Sequence, residues 1–291
     1  MKHIIIIVTA FILGCQSPNT NTSYDQNVEL SSSFKDYWYD GNAEISSFNL
    51  TQSRYGEPRE GEAILIYVTE DFLVNEQVKS NVKSKNSKSA LKLNRTKKFI
   101  TGIYPYSIMN SSFTYLGQKD PLAKITTSIQ EWCGQAYLQL NKKRGLSIAS
   151  HSYFEGEADQ NINLPNGITE DELWHWIRTS PTSLPLGNIK LLPPFEFLRL
   201  LHKPIQFYDA KAALDSTSTH FTYELSYPEL NRKISINFEK KTPFSILGWN
   251  EFDLSDPKKT TTATRKKIMK LPYWQLNNLG DERFRDSLKL R

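Results

Sequence analysis

Short stretches in which apolar and polar residues alternate recur along most of the chain, and they constrain the fold more than any other feature. Residues 62–70 are rich in β-branched and aromatic side chains, and they predict a strand buried on at least one face. Similar stretches occupy residues 98–106, 112–116, 124–140, 146–154, 221–227, 233–239 and 244–253. A period of two residues is that of a β-strand. The chain is therefore predicted to be mainly β.

Turn signals between these stretches predict how the strands pair. Residues 141–145 and 228–231 each connect two alternating stretches, and the glycine that ends the first connection is expected to have a positive φ. Asp40 and Gly41 predict another turn, inside a β segment over residues 37–50. Strands joined by short turns pair antiparallel. About ten strands are expected, in an antiparallel curved sheet or partly open β-barrel, with a two-layer sandwich as the alternative.

Two segments carry helix signals. Thr169 is a capping residue followed by three acids, which oppose the positive end of the helix dipole, and Pro181 ends this helix. A Pro-Pro pair predicts the start of a second short helix over residues 195–201. Both helices are interpreted as an insertion at residues 165–203 in a single β-rich domain that spans residues 34–291.

The N-terminal segment has the pattern of an export signal. A positively charged start precedes an apolar run of about ten residues, which is too short to cross a hydrocarbon core of ~30 Å as a helix. Ile12-Leu13-Gly14-Cys15 then places small residues before a thiol. This string resembles the lipobox of bacterial lipoprotein signal peptides. An ordinary secretory signal or an uncleaved N-terminal helix is the alternative.

The lipobox resemblance implies an address for the protein. Residues 1–14 would be removed, and Cys15 would carry the acyl chains that anchor the mature protein. In Gram-negative lipoproteins an aspartate after this cysteine retains the protein at the inner membrane, so Gln16 implies the outer membrane, facing the periplasm or the cell surface. Residues 15–33 are rich in Ser, Asn and Thr, and they are predicted to form a flexible tether. The expected partners are the membrane, through Cys15, and an envelope protein or a lipid ligand.

Further strings resemble a group of uncharacterised bacterial envelope lipoproteins. They are residues 37–45 with 54–57, residues 131–135, and residues 271–274. Some members of that group bear the label septum formation inhibitor Maf. Maf proteins resemble cytosolic α/β nucleotide pyrophosphatases with an N-terminal phosphate-binding segment, and this chain has neither that segment nor an α/β alternation. The resemblance implies an envelope location and brings no activity.

One cysteine is left for chemistry once Cys15 is acylated. Cys133 lies between a tryptophan and a glycine, which suggests a thiol nucleophile with His151 as its base and Asp159 or Asn161 orienting the imidazole. The protein would then be a thiol-dependent hydrolase or transferase. In the other interpretation Cys133 is a small hydrophobe packed in the core, as free cysteines usually are.

Charged runs leave two interpretations open. Residues 79–98 contain seven lysines and one arginine without an acid, and residues 258–270 form a second basic run. Each is either an anion-binding patch or a solvated, mobile loop. The first run lacks aromatic residues for base stacking, and an exported protein meets little nucleic acid, so no nucleic-acid partner is expected. The net charge of +5 is only mildly basic.

Neither a metal nor a cofactor is expected. The five histidines are scattered, and the chain has no His-Glu-x-x-His pair, Gly-rich phosphate loop or dinucleotide fingerprint. Glu155, Glu157 and Asp159 have a spacing of two, which on a strand would direct them to one face, where they would bind a hard cation. As part of a loop they would be solvent-facing charge.

The expected function is that of a non-enzymatic binding or scaffolding module at the envelope. The hydrophobic face of a partly open barrel would hold an acyl chain or an apolar peptide. Four tryptophans are the expected lining of such a pocket, with core packing as their alternative role: Trp132, Trp174, Trp176 and Trp249. A structural subunit of an envelope complex is a third class, which an exposed apolar patch would indicate.

Overall fold

The structure, a computed structural model, describes residues 29–118 and 120–290. The predicted signal peptide, Cys15 and most of the predicted tether lie outside the described residues. The α-helices are α1 (Ser32–Trp38), α2 (Glu170–Thr179), α3 (Phe195–Leu200) and α4 (Arg283–Ser287). The strands are β1 (Ala43–Arg54), β2 (Glu57–Leu73), β3 (Val78–Lys79), β4 (Ser87–Thr101), β5 (Tyr104–Tyr115), β6 (Leu122–Glu131), β7 (Gly134–Lys142), β8 (Leu146–Ser152), β9 (Gln160–Leu164), β10 (Ile168–Thr169), β11 (Gly187–Leu192), β12 (Tyr208–Ser216), β13 (His220–Tyr227), β14 (Arg232–Glu239), β15 (Ile246–Asp253) and β16 (Thr260–Leu271).

These strands form one curved sheet. Its order is β10-β11-β12-β13-β14-β15-β16-β1-β2-β4-β5-β6-β7-β8-β9, and β3 pairs with β2. The strands are antiparallel throughout except for the short β10–β11 pair. β1 pairs with β16, with Ala43 opposite Leu271, so two meanders join side by side. The end strands β9 and β10 do not pair with each other, which leaves the sheet open. The predicted curved antiparallel sheet is confirmed, and it is one sheet instead of a two-layer sandwich.

Helix α2 lies inside the curve of the sheet. Every residue from 170 to 178 is buried, which is unusual for a helix that carries four charged side chains. Side chains from distant strands reach it: Tyr67 Oη of β2 donates to the Trp174 carbonyl oxygen (3.1 Å), Ser112 Oγ of β5 lies 2.8 Å from His175 Nε2, and Arg232 of β14 pairs with Glu170 (2.5 Å). Because the sheet wraps around α2, its concave face is filled with packed side chains.

Both predicted helices are present. Thr169 Oγ1 accepts from the Glu172 amide (3.2 Å), and Glu172 Oε2 accepts from the Thr169 amide (2.9 Å), so the first turn of α2 carries a complete capping box. Such a cap contributes about 0.5–2 kcal/mol. Helix α3 starts directly after the Pro-Pro pair, and β11 separates it from α2 within residues 165–203.

The sequence predicts a β segment that begins at residue 37, but the chain before β1 is helical. Residues 32–38 form α1, whose Ser31 side chain accepts from the Phe34 amide (3.1 Å). Phe34 and Trp38 are both buried, and their spacing of four places them on one helical face. The aromatic residues near Trp38 are therefore helical, and β1 begins only after the predicted turn at Gly41, whose φ is +81°.

Both basic runs prove to be largely strands, so the expectation of a mobile loop is wrong. β4 covers most of the first run and β16 most of the second. Their lysines pair with acids of other strands: Lys92 of β4 with Glu70 of the adjacent β2 (2.8 Å), and Lys266 of β16 with Glu62 of β2, two strands away (2.9 Å). Cross-strand pairs of opposite charge support a ladder. The acids lie 22 and 204 residues away in sequence, and that separation concealed the pairing.

Both predicted hairpins are confirmed, with one correction. Gly145, between β7 and β8, does not have a positive φ. A Cβ at this position would lie 2.5 Å from the Leu164 carbonyl oxygen, so the glycine permits a close approach of β9. In the second hairpin Asn231 supplies the left-handed residue, with a φ of +49°. No helix in the described part of the chain is both long and apolar enough to cross a membrane.

Candidate functional site

A cavity of about 340 Å³ opens at one end of the sheet. We call this the turn end, because the turns β1–β2, β4–β5, β6–β7 and β13–β14 all lie there, as the strand registers require. Helix α3 forms one wall of the cavity. The apolar lining consists of Phe197, Leu200, Leu201, Leu230 and Phe252.

Four charged side chains form the floor of the cavity, and we call them the cavity network: Lys97 of β4, Glu196 of α3, Arg232 of β14 and Glu251 of β15. Lys97 Nζ pairs with the Glu196 carboxylate and lies 3.5 Å from Glu251 Oε1. Arg232 Nη2 lies 3.1 Å from Glu251 Oε2. Two cations therefore face two carboxylates at the floor. The side chains of both cations are 3% exposed, whereas Glu251 is 19% exposed.

The cavity network is attached to the start of helix α2. Arg232 donates from both terminal nitrogens to the Glu170 carboxylate, at 2.5 and 2.8 Å, and Tyr227 Oη donates to Glu170 Oε2 at 2.7 Å. Beside this pair, Arg95 Nη2 donates to Asp171 Oδ1 at 3.1 Å. Two-pronged arginine–carboxylate pairs fix orientation as well as charge. The floor of the cavity is consequently held in one geometry by the interior of the fold.

Glu251 is the acceptor that the cavity offers to a ligand. Burial by itself raises its pKa, but the charges of Lys97 and Arg232 outweigh burial and lower the pKa to about 2. The carboxylate is ionised across the physiological pH range. Glu196, beside it, has one oxygen, Oε2, with no hydrogen-bond partner in the part of the chain that the structure describes.

The mouth of the cavity has an aromatic and basic edge. Arg54, the last residue of β1, donates from Nη1 to the Leu200 carbonyl oxygen at 2.6 Å, which ties the sheet to α3. Its guanidinium lies 4.3 Å from the centre of the Tyr55 ring. Tyr55 Oη lies 2.8 Å from Tyr106 Oη. The exposed Tyr55 ring is thus held in place at the opening by two neighbours.

A second charge cluster, which we call the sealed cluster, lies at the other end of α2. Arg178 donates to both oxygens of Glu44 at 2.7 and 2.6 Å, and Tyr37 Oη donates to Glu44 Oε2 at 2.5 Å. The side chains of Arg178 and Glu44 are 0% and 1% exposed. Burial raises the pKa of Glu44, but the charge of Arg178 outweighs it and lowers this pKa overall. The cluster joins α1, β1 and α2.

Cys133 is exposed in the turn between β6 and β7, so the predicted burial in the core is wrong. Its amide donates to Glu131 Oε2 at 2.8 Å. A hydrogen bond with the Glu131 side chain raises the pKa of the thiol. A nucleophilic cysteine needs the opposite shift, toward the thiolate.

The structure brings His151 and Asp159 together, with His151 Nδ1 3.0 Å from Asp159 Oδ1, both on the surface. It does not bring Cys133 to them. His151 is opposite Tyr137 on β7, four residues along the chain from Cys133, a separation of about 13 Å on a strand. Asn161 lies on β9 opposite Ala149.

None of the four tryptophans expected in a pocket lines the cavity. Trp174 and Trp249 are fully buried with their ring centres 5.4 Å apart, and Trp176 is buried near them in the same core. Trp132 is exposed at the turn end.

The three spaced acids lie in the connection between β8 and β9 instead of on one face of a strand. Glu157 is buried and binds Arg199 (2.9 Å) and His202 (2.7 Å), while Asp159 contacts His151. Within residues 29–118 and 120–290, no group of three or more side chains is placed to hold a metal ion.

The residues that line the cavity were missed by the sequence reasoning. A signal was present: Lys97, Arg232 and Glu251 occupy positions within strands that are turned toward the interior. Buried charges are found almost only where they are paired. The partners, however, come from separate strands and from α3, and no short sequence pattern matches them to one another.

Comparisons with known proteins give a similarity of fold and no family. No family model matches the chain, and no curated protein matches it in sequence. Among solved structures, the chain is similar to the crystal structure of a β-barrel-like protein of a domain of unknown function, DUF1849, from Brucella abortus. The two share 6% sequence identity with a TM-score of 0.49, over 79% of this chain and 98% of that chain.

Proposed function

We propose that the protein is a non-enzymatic binding module of the outer membrane, anchored through Cys15, and that its ligand enters the cavity at the turn end. The observation that carries this proposal is the cavity itself. It combines apolar walls from α3 with an ionised, partly exposed Glu251, and a concave site with a few fixed polar groups is the usual form of a ligand site.

Two features favour an amphipathic ligand over the acyl chain expected from sequence. The concave face of the sheet is filled by α2 and the core, so packed side chains occupy the space where an acyl chain would lie along it. The floor of the cavity is charged, and an acyl chain placed there would desolvate ionic groups without pairing them. A ligand with both a polar and an apolar part satisfies the floor and the walls together.

The course of the chain supports the orientation implied by a lipid anchor. Helix α1 precedes the start of β1, whereas the cavity lies at the end of β1, at Arg54. The twelve residues of β1 span about 36–40 Å. A protein tethered through Cys15 would thus carry its cavity on the side away from its point of entry, where a ligand in the surrounding compartment has access.

The cavity is tested with two matched substitutions. Leu201 and Leu254 are each 49% exposed at the turn end, but only Leu201 lines the cavity. Native mass spectrometry of protein purified from membranes in mild detergent should show an additional bound mass for the wild type and for Leu254→Trp, and none for Leu201→Trp. The proposal is overturned if no form carries a bound mass, or if Leu201→Trp retains it.

The anchor is tested separately by Cys15→Ser. The wild type should enter the detergent phase on phase separation, and intact-mass analysis should show an acylated N-terminal cysteine. The variant should remain in the aqueous phase. Wild-type protein that begins at Met1, or that enters the aqueous phase, contradicts the anchoring while leaving the cavity test intact.

A further inference from the structure

The most exposed aromatic side chains of the described residues gather at the turn end. Tyr55, Trp132 and Tyr153 are 59%, 69% and 69% exposed, and each lies in a turn at this end. With Tyr104 and Phe154 they form what we call the aromatic rim. Large rings are costly to leave in water, so a concentration of them beside a cavity indicates a surface that becomes covered.

The aromatic rim consists of two groups of side chains that adjoin at Gly134, and it meets the cavity on both sides. Its contacts are the Tyr55 and Tyr104 hydroxyls (3.4 Å), the Tyr104 and Trp132 rings (6.4 Å, inclined at 31°), the Tyr153 ring against Gly134, the Tyr153 and Phe154 rings (5.7 Å), and the Phe154 and His202 rings (5.4 Å). Tyr55 lines the cavity, and His202 follows Leu201, which also lines it. A ligand in the cavity mouth therefore has aromatic rings on two sides.

The charges of the cavity favour a ligand without net charge. The charged side chains around the cavity balance once Glu170, which shares Arg232, is counted with those of the lining: Arg54, Lys97, Arg232 and Lys259 against Glu170, Glu196, Glu251 and Asp253. A further buried ion would therefore lack a partner and bear an uncompensated desolvation cost. The free hydrogen-bonding capacity is of both kinds: Glu251 accepts, and Asn231 at the mouth both donates and accepts. Hydroxyl groups match both kinds, because each donates one hydrogen bond and accepts others.

We propose that the aromatic rim and the cavity mouth bind a neutral saccharide chain. The apolar C–H faces of its sugar rings lie on the exposed rings of Tyr55 and Trp132, and its hydroxyls reach Glu251. This inference rests on the proposed binding function and names the chemical class of its ligand. Aromatic side chains with a polar tip suit such a ligand, which is apolar on its ring faces and polar around its edge.

A lipid surface is the competing occupant. Carboxylates repel anionic headgroups, and Glu131, Glu155 and Asp159 lie beside the part of the rim away from Arg54, at Trp132, Tyr153 and Phe154. The rim is also at the opposite end of β1 from α1, which is where the chain from Cys15 enters the described structure.

The test is calorimetric titration of the full mature protein with tetra-N-acetylchitotetraose, cellotetraose and the anionic tetragalacturonate. At least one neutral tetrasaccharide should bind, and more tightly than tetragalacturonate. Trp132→Ala should weaken that binding about tenfold. Trp274→Ala is the matched control, because Trp274 is exposed but lies outside the rim. The affinity of this variant for the tetrasaccharide should equal that of the wild type. Circular dichroism checks that each variant is folded. If Trp132→Ala is unfolded, Tyr55→Ala takes its place.

Three results overturn the inference: no binding of either neutral tetrasaccharide, tighter binding of tetragalacturonate, or equal affinities of wild type and the rim variant. Binding to vesicles of phosphatidylglycerol and phosphatidylethanolamine that the rim variant abolishes would assign the rim to a membrane instead. A bound mass that depends on Leu201 while both neutral sugars fail would retain the binding function and reject the saccharide.

Discussion

The sealed cluster and the cavity network use the same ion-pair chemistry at opposite ends of helix α2, and they differ in exposure. Arg178 and Glu44 are fully enclosed, and every oxygen of Glu44 is hydrogen-bonded. Glu251 is held by Lys97 and Arg232 but is partly open to a cavity. The sealed cluster has no free hydrogen-bond acceptor for a ligand, whereas Glu251 of the cavity network can accept a further hydrogen bond from one. Exposure, more than residue type, distinguishes the structural pair from the candidate site.

The comparison has an energetic side. A sealed ion pair gains little net free energy, because desolvation offsets attraction, but the loss of one partner leaves a buried, unpaired charge. A network with several partners tolerates the loss of one better. We therefore expect the two regions to respond differently to the same kind of substitution.

The largest effect is expected in the sealed cluster. Glu44→Gln keeps the shape of the side chain but leaves the Arg178 guanidinium without a counter-charge, and it should lower the free energy of unfolding by about 3–5 kcal/mol. Urea unfolding measures the change. Asp209→Asn is the control, since the Lys190–Asp209 pair is exposed and its loss should cost about 0–1 kcal/mol. Equal losses in the two variants would contradict the structural role of the sealed cluster.

Glu172, a buried carboxylate held by the Thr169 cap, sharpens the comparison. Burial raises the pKa of Glu172 from 4.5 to about 7, so the fold favours its neutral form. The associated stabilisation is complete below pH 4.5 and is lost as the pH rises to 7, an effect of about 3 kcal/mol. Glu172→Gln remains neutral, and glutamine can also serve in a capping box.

Unfolding of wild type and Glu172→Gln at pH 4.5 and pH 8 tests this expectation. The variant should gain stability relative to the wild type as the pH rises. A difference between the two proteins that does not depend on pH would show that folding leaves the pKa of Glu172 unchanged, and would contradict this expectation.

A smaller stability effect is expected in the cavity network. In Glu251→Gln, Lys97 keeps Glu196 and Arg232 keeps Glu170, so the loss should be about 1.5–3 kcal/mol at neutral pH. The pKa of Glu251 is lowered to about 2, so its contribution is present above pH 4.5 and disappears as the pH falls toward 2. Unfolding at pH 7 and pH 2.5 measures this convergence. A loss equal to that of Glu44→Gln would remove the distinction between the regions.

The sequence predicted the parts of the fold that depend on local patterns. Alternation revealed most strands, and Thr169 with its three acids located α2. The helix α1 was missed because Tyr37 and Trp38 are aromatic residues typical of strands, and their helical spacing from Phe34 is apparent only once the core is known. Local propensity was overridden there by tertiary packing.

The residues of the candidate site could not be predicted from the sequence. The order of the strands and the position of α3 bring together residues from four strands and a helix: Arg54, Lys97, Glu196, Arg232 and Glu251. The pairing of β1 with β16 matters most, because it places the first and the last strand of the sequence side by side at the cavity. Such long-range register is not encoded in any short motif. Cys133 was misplaced for a similar reason, since a turn residue and a core residue look alike in sequence.

The most direct test of the central claim is a crystal structure of the wild-type protein purified from its membrane with its bound ligand. Our account predicts ligand density in the cavity between α3 and the end of β1, within hydrogen-bond distance of Glu251 and in contact with Tyr55. An empty cavity, with the ligand bound on another surface, would contradict it.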